Sequence, residues 1–201
     1  PGVAGGSIIR AKDSAQLTCL LYGRDPETRY LGIEHLTFDG NGLTFPWIID
    51  FEDAINLRIA NVRIENIVGG GISQIRSDGD PVWVNFYENI EIDITGHAGI
   101  GLVHGDSDSF LTDLTITGAD IGILEIDGAA NRFRNVTVSN CINGLVIRDG
   151  ANDKQANSIF ESLFVDNLEN GLVISNTSAT LNGFIPLHRN VFSGNGQRDL
   201  Y

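Results

Sequence analysis

Two loops of this chain carry the same spaced set of ionisable residues: Arg76-Ser77-Asp78-Gly79-Asp80 and His104-Gly105-Asp106-Ser107-Asp108 both read basic-x-Asp-x-Asp. Glu125-Ile126-Asp127 and Arg148-Asp149 continue the series. Carboxyls about 5 Å apart suit a retaining glycosidase, in which one stays protonated as general acid and its neighbour acts as nucleophile or base; a wider gap suits an inverting one. Asp78, Asp106 and Asp127 are the candidates for that pair, and His104 or Arg76 would stand near the glycan's own charge or the leaving oxygen. In an elimination, Arg76 or Arg148 takes the place of His104 beside the abstracted proton, and metal-bound Asp residues neutralise the sugar carboxylate. Asp80 and Asp108 are the candidate ligands of a cation such as Ca²⁺, and no other cofactor is implied. Arg76, Arg148 and Asp149 would face the substrate, while Trp47, Trp83, Tyr87 and Tyr30 offer rings on which a sugar could stack. Asp, Ser and Gly are equally what solvated loops are made of, so the chemistry depends on whether the fold gathers these loops.

A repeat is what would gather them. A hydrophobic pair with one residue between returns as Leu36/Phe38, Val62/Ile64, Ile90/Ile92, Leu114/Ile116, Val136/Val138, Leu163/Val165 and the weaker Val191/Ser193, at steps of 22 to 28 residues. Two residues beyond each pair stand Gly40, Asn66, Ile94, Gly118, Asn140, Asn167 and Asn195. Stacked in register, those Asn side chains would form a hydrogen-bonded column and tolerate a left-handed turn. Gly70, Gly122, Gly144 and Gly171 then introduce a second apolar run, as in Gly144-Leu145-Val146-Ile147. Alternation at period two marks strands with one buried face, and no amphipathic helical spacing is sustained. Strands that return to the same place every coil are parallel. The spacing therefore predicts an all-β, single-stranded right-handed parallel β-helix of about seven to eight coils filling residues 1–201 as one domain, roughly 35 to 40 Å long.

Stacking turns the loops into a column. Counted from Val62 and Ile90, Arg76 and His104 both fall at +14, Asp78 and Asp106 at +16, and Asp80 and Asp108 at +18. Carboxylates one rung apart repel by about 3 kcal/mol at an effective dielectric near 20. They must splay into solvent, bind a cation or share a proton. Glu125 aligns with Ile147 and Ile174, which should face the core. Either a local bulge turns it outward, or it is held partly inside as a general acid. His97 and His188 read as turn or surface residues, and His35 has no obvious partner.

The 201 residues, 42% of them hydrophobic and 24 of them Gly, suffice for one sizeable core with several tight turns per coil. A formal charge of −13 without a basic patch argues against nucleic-acid binding. No apolar run approaches the 18 residues of a membrane-spanning helix. Cys19 and Cys141 would lie several coils apart, beyond disulfide reach. Asn135-Val136-Thr137 and Asn176-Thr177-Ser178 match the N-glycosylation pattern. The chain starts at Pro1 and contains no Met, as a mature or excised segment would. Truncation at one or both ends would leave open coils, which a flanking cap, another chain or a trimeric neighbour would cover.

Gly5-Gly6-Ser7-Ile8-Ile9-Arg10-Ala11-Lys12-Asp13, followed by Leu36-Thr37-Phe38-Asp39-Gly40-Asn41, resembles the opening rungs of the pectate-lyase-like right-handed β-helix proteins. That group includes polysaccharide lyases, mannuronan epimerases, glycoside hydrolases and phage tailspikes. Where the epimerases place Asp-Pro-His, this chain has Ser73-Gln74-Ile75, and Val103-His104-Gly105 only partly matches the Gly-His-Gly of polygalacturonases. The resemblance implies an extracellular or virion-surface protein acting on a polysaccharide. It leaves two readings: cleavage in a lateral acidic groove, or a non-catalytic shaft or glycan-binding segment of a tailspike or adhesin.

Overall fold

The computed structural model describes residues 7–12, 19–24, 30–75, 84–105, 107–126, 130–148, 157–175 and 187–200. Every strand pairing among them is parallel, and the strands fall into two sheets that run the length of the stack. This is the parallel β-helix that the repeat predicts. The first sheet includes Gly32–Asp39, Phe86–Ile94 and Phe110–Thr117; the second includes Thr44–Glu52, Ile100–His104, Ile121–Ile126 and Asn143–Arg148. Arg58–Ile75 is long enough to contribute to both.

The core is built from columns of side chains, one from each coil. Ile9, Phe38, Ile64, Ile92, Ile116, Val138, Phe164 and Phe192 stack in the first sheet. Leu21, Ile49, Ile72, Leu102, Ile123, Leu145 and Leu172 stack in the second. Phe38 through Phe164 and Ile49 through Leu172 are buried in these columns. At roughly 1.5–3 kcal/mol per large apolar side chain removed from water, they supply the main driving force for coiling. Cys141 lies in this core, where burial pushes its thiol up to about 11, and both cysteines are free.

Corners are made by residues with positive φ at matching positions. One such column is Tyr30, Asn56, Val84, Asp108 and Ala130; another is His35, Asn61, Asn89, Asp113, Asn135, Glu161 and Arg189. Asn and Asp enter the left-handed region most readily among residues with a side chain, and they recur in both columns. Glu161, Arg189 and Val84 adopt it against their preference, because the coils above and below dictate the bend.

Two registers differ from those read off the repeat. The last pairs are displaced by one residue: Val138 stacks on Phe164 and Phe192, while Leu163 points out and is 40% exposed. Leu163-Phe164-Val165 is apolar at all three positions, so alternation alone does not choose its buried member. The slip divides the expected Asn column. Asn140 is a left-handed corner residue, matched by Asp166 and Gly194. Asn167 and Asn195 instead point inward, where Asn167 Oδ1 accepts the Cys141 N–H at 3.1 Å and Asn195 Oδ1 accepts that of Asn167 at 3.1 Å.

The second difference concerns His104, which pairs with Gln74 and so does not share a register position with Arg76. Ile67 pairs with Ile94 and Ile72 with Leu102, so five positions in one coil correspond to eight in the next. The extra residues form the turn around Gly96 and Gly99, both at positive φ. A count from the first strand therefore loses register before it reaches the second.

Candidate functional site

Of the residues that the sequence nominates, Arg76, Asp78, Asp80, Trp83, Asp106, Asp127 and Asp149 lie outside the described residues. Asp108 is exposed at a corner with φ 58°, a position where Asp serves the backbone. Among the described residues no three His, Cys, Asp or Glu side chains are grouped to hold a metal ion. Arg148 is exposed at the end of its strand, in register with Ile126 and Ser175. Trp47 is half-buried with its ring over Gly70, Tyr87 is buried, and Tyr30 is a corner residue exposed to 81%.

The structure brings two nominated residues together. His104 pairs directly with Glu125 in the second sheet, and His104 Nδ1 lies 2.7 Å from Glu125 Oε2. Glu125 keeps the register of Ile147 and faces inward, so no bulge turns it out. Both side chains have no exposed surface. Asn131 Nδ2 donates to the other carboxylate oxygen at 2.6 Å, and the Tyr87 ring meets the imidazole edge-on at a centroid distance of 5.5 Å. Buried polar groups are tolerated when they are hydrogen-bonded, and these contacts supply partners to both carboxyl oxygens and to His104 Nδ1.

This pair is the centre of a polar lobe within the core. Phe51, Gln74, His104, Glu125, Ile147 and Ile174 occupy one inward column, so three successive coils are polar between apolar ones. Facing them across the corner are buried Asn85, Ser109, Asn131 and Asn157. These form a ladder. Asn85 Oδ1 accepts the Leu57 N–H at 2.6 Å, Ser109 Oγ that of Asn85 at 3.1 Å, Asn131 Oδ1 that of Ser109 at 2.8 Å, and Asn157 Oδ1 that of Asn131 at 3.2 Å. Gln74 Nε2 and Asn85 Nδ2 both reach the Ala54 carbonyl at 3.4 Å. Each neutral bond is worth about 1 kcal/mol net, and leaving a buried partner unsatisfied costs roughly 1–3 kcal/mol.

On the outer surface, the residue after each ladder position points to solvent. Phe86, Phe110 and Arg132 are neighbours there. The two Phe rings stack at 5.3 Å, and the Arg132 guanidinium lies 5.0 Å from the Phe110 centroid. Beside them run Thr112, Arg134, Phe160 and His188, with Phe160 and His188 rings 6.3 Å apart. With Phe110 and Arg132, these four line a groove of about 430 Å³, at whose end Phe86 stacks on Phe110. Glu161 is its carboxylate, 3.4 Å from Arg134 and 3.6 Å from Arg189. Arg132 has no carboxylate partner among the described residues. Phe86, Phe110, Arg132, Arg134 and Phe160 escape a motif search because they are outward members of ordinary alternation; their position directly after the inward Asn or Ser is the signal that marks three of them.

A second, polar depression of about 410 Å³ contains Arg10, Asp39, Asn41 and Asn66. The Asn41 backbone N–H at 2.9 Å, Arg10 Nε at 2.6 Å and Asn66 Nδ2 at 3.2 Å all donate to Asp39. The Asn41 N–H, followed by Arg10, holds its carboxyl below the usual carboxylate range against the opposing effect of burial. A carboxylate so fully engaged is a structural pin.

The profile of the right-handed beta helix region matches residues 29–198, and the chain belongs to that family. No curated protein and no solved structure is detectably similar to it. The family defines a scaffold, and the chemistry must be read from the side chains it carries.

Proposed function

We propose that this protein is a glycan-binding β-helix whose lateral face holds an anionic polysaccharide along the helix axis. The observation that carries this reading is Arg132 lying on the exposed Phe86–Phe110 stack. In a chain of net charge −13, carboxylates are plentiful, yet this guanidinium rests on an aromatic ring. There its N–H edge stays available to a carboxylate or sulfate in the bidentate geometry that guanidinium favours. Phe86 and Arg132 cover the two faces of Phe110, so the stack presents an apolar edge to a sugar, and Phe160 adds a further apolar surface to the groove. Strands stack about 4.8 Å apart, so the track from Phe86 to His188 extends roughly 20 Å and accommodates several sugar units. Such a ligand is met outside the cell or on a virion surface.

The described residues favour binding over cleavage. His104 and Glu125 are sealed from solvent, and the groove's Glu161 is tied to two arginines. Cleavage would fall to Asp78, Asp106 or Asp127. Titration against a panel of acidic polysaccharides and their carboxyl-reduced or desulfated counterparts tests the reading. The acidic forms should bind, and Arg132→Ala and Phe110→Ala should each weaken binding about tenfold, the worth of one charge-assisted bond or ring contact. Equal binding of acidic and neutral forms, or none of either, sinks it. New reducing ends or unsaturated products in the same samples would reveal cleavage.

A further inference from the structure

We propose that the buried chain His104–Glu125–Asn131 is a positioning network for the guanidinium of Arg132, which gives the lateral face its preference for anionic ligands. The inference rests on the reading of that face as a glycan site. Asn131 joins the buried chain to the lateral face, because it belongs to both the chain and the ladder. Its Oδ1 accepts the Ser109 N–H, its own N–H donates to Asn157, and its Nδ2 donates to Glu125. Those bonds hold the backbone immediately before Arg132 on its inner side, while Ser109 does the same before Phe110.

The ladder alone fixes the height of each coil. Its bonds run from one coil to the next, parallel to the helix axis, and leave rotation of the corner about that axis less constrained. The bond to Glu125 crosses the corner within a single coil, from Asn131 back to a residue six positions earlier. His104 in turn holds Glu125 from the preceding coil. The chain from His104 to Asn131 therefore locks the angle at which the Arg132 strand leaves the corner, and with it the placement of the guanidinium over Phe110. None of the three side chains has solvent access, so a role in direct contact with ligand is closed to them. Ala130, between the second sheet and Asn131, has φ 59°, a conformation that non-glycine residues hold only where their surroundings enforce it.

The test separates positioning from stability by measuring the ratio of affinities for an acidic oligosaccharide and its carboxyl-reduced form in folded protein. Asn131→Ser copies Ser109 and keeps a ladder acceptor, but it cannot reach Glu125. The double variant His104→Leu/Glu125→Leu extends the apolar stretch that begins at Ile147 and removes the network without stranding a lone charge. Both should lower the ratio about tenfold while binding of the neutral form holds, as expected when one charge-assisted contact is misplaced. Glu125→Gln retains an oxygen to accept from Asn131 and should keep most of the discrimination. A wild-type ratio in both network variants overturns the inference, as does loss of fold in both, which would make the network a fold determinant. Absence of any binding by the wild-type protein would instead count against the function proposed for the face.

Discussion

Two of the asparagine ladders among the described residues of this β-helix are unequal. Asn167 and Asn195 satisfy backbone N–H groups at one corner and reach the carbonyls of Val138 and Phe164. Asn85, Ser109, Asn131 and Asn157 do the same backbone work at another corner, but Asn131 also engages a buried carboxylate. The first ladder is fold chemistry that any sharp turn in a stacked coil requires. The second is that chemistry with a buried His–Glu hydrogen-bonded pair behind it and an aromatic–cationic surface in front. A ladder therefore does not identify a site; its departure from the minimum does.

The largest difference between the two regions should appear when the His104–Glu125 pair is broken. Glu125→Ala leaves His104 buried without its carboxylate and should cost about 3–5 kcal/mol, whereas the double Leu variant should recover part of that loss, with Asn131 Nδ2 still lacking its acceptor. Urea unfolding of the three proteins reads this directly; a loss below about 1 kcal/mol in Glu125→Ala would mean that the pair is not under strain to stay matched. Next in size is the contrast between the ladders themselves. Asn131→Ala should destabilise by about 2–3 kcal/mol and Asn167→Ala by roughly 1–2 kcal/mol, because only the first loses a bond to a charged group. Equal losses would erase the distinction.

The smallest effect should come from a polar site outside both ladders. Asp39 is held below its usual range in the folded chain, so its stabilisation is present above its unfolded value near 3.8 and is lost as pH falls through the lower folded value. Asp39→Asn should therefore be less stable than wild type near neutral pH, with the gap closing as acid protonates the wild-type residue. Urea melts at about pH 6 and pH 2.5 measure that gap, and a gap that widens in acid contradicts the assignment.

Much of the scaffold could be read before any coordinates. Pairs such as Val62/Ile64 and Ile90/Ile92 alternate cleanly between apolar and polar, and they stack as read. Leu163-Phe164-Val165 offers no such contrast, and the reading slipped by one residue there. The site was less legible. Glu125 stood out as a carboxyl in an apolar column, but its partner His104 was assigned to a different column because the turn near Gly96 is longer than its counterpart. Phe110 and Arg132 carried no motif, since residues that meet only through strand pairing have no fixed separation along the chain.

What the amino-acid sequence determined by itself is the coil: its period and its apolar interior, both set by alternation. What only the tertiary structure decided is which side chains of different coils are neighbours. That choice depends on the length of every intervening turn, and one added residue changes the partner of each side chain that follows until the next strand restores the register. His104 met Glu125, and Arg132 met Phe110, through that accumulated register.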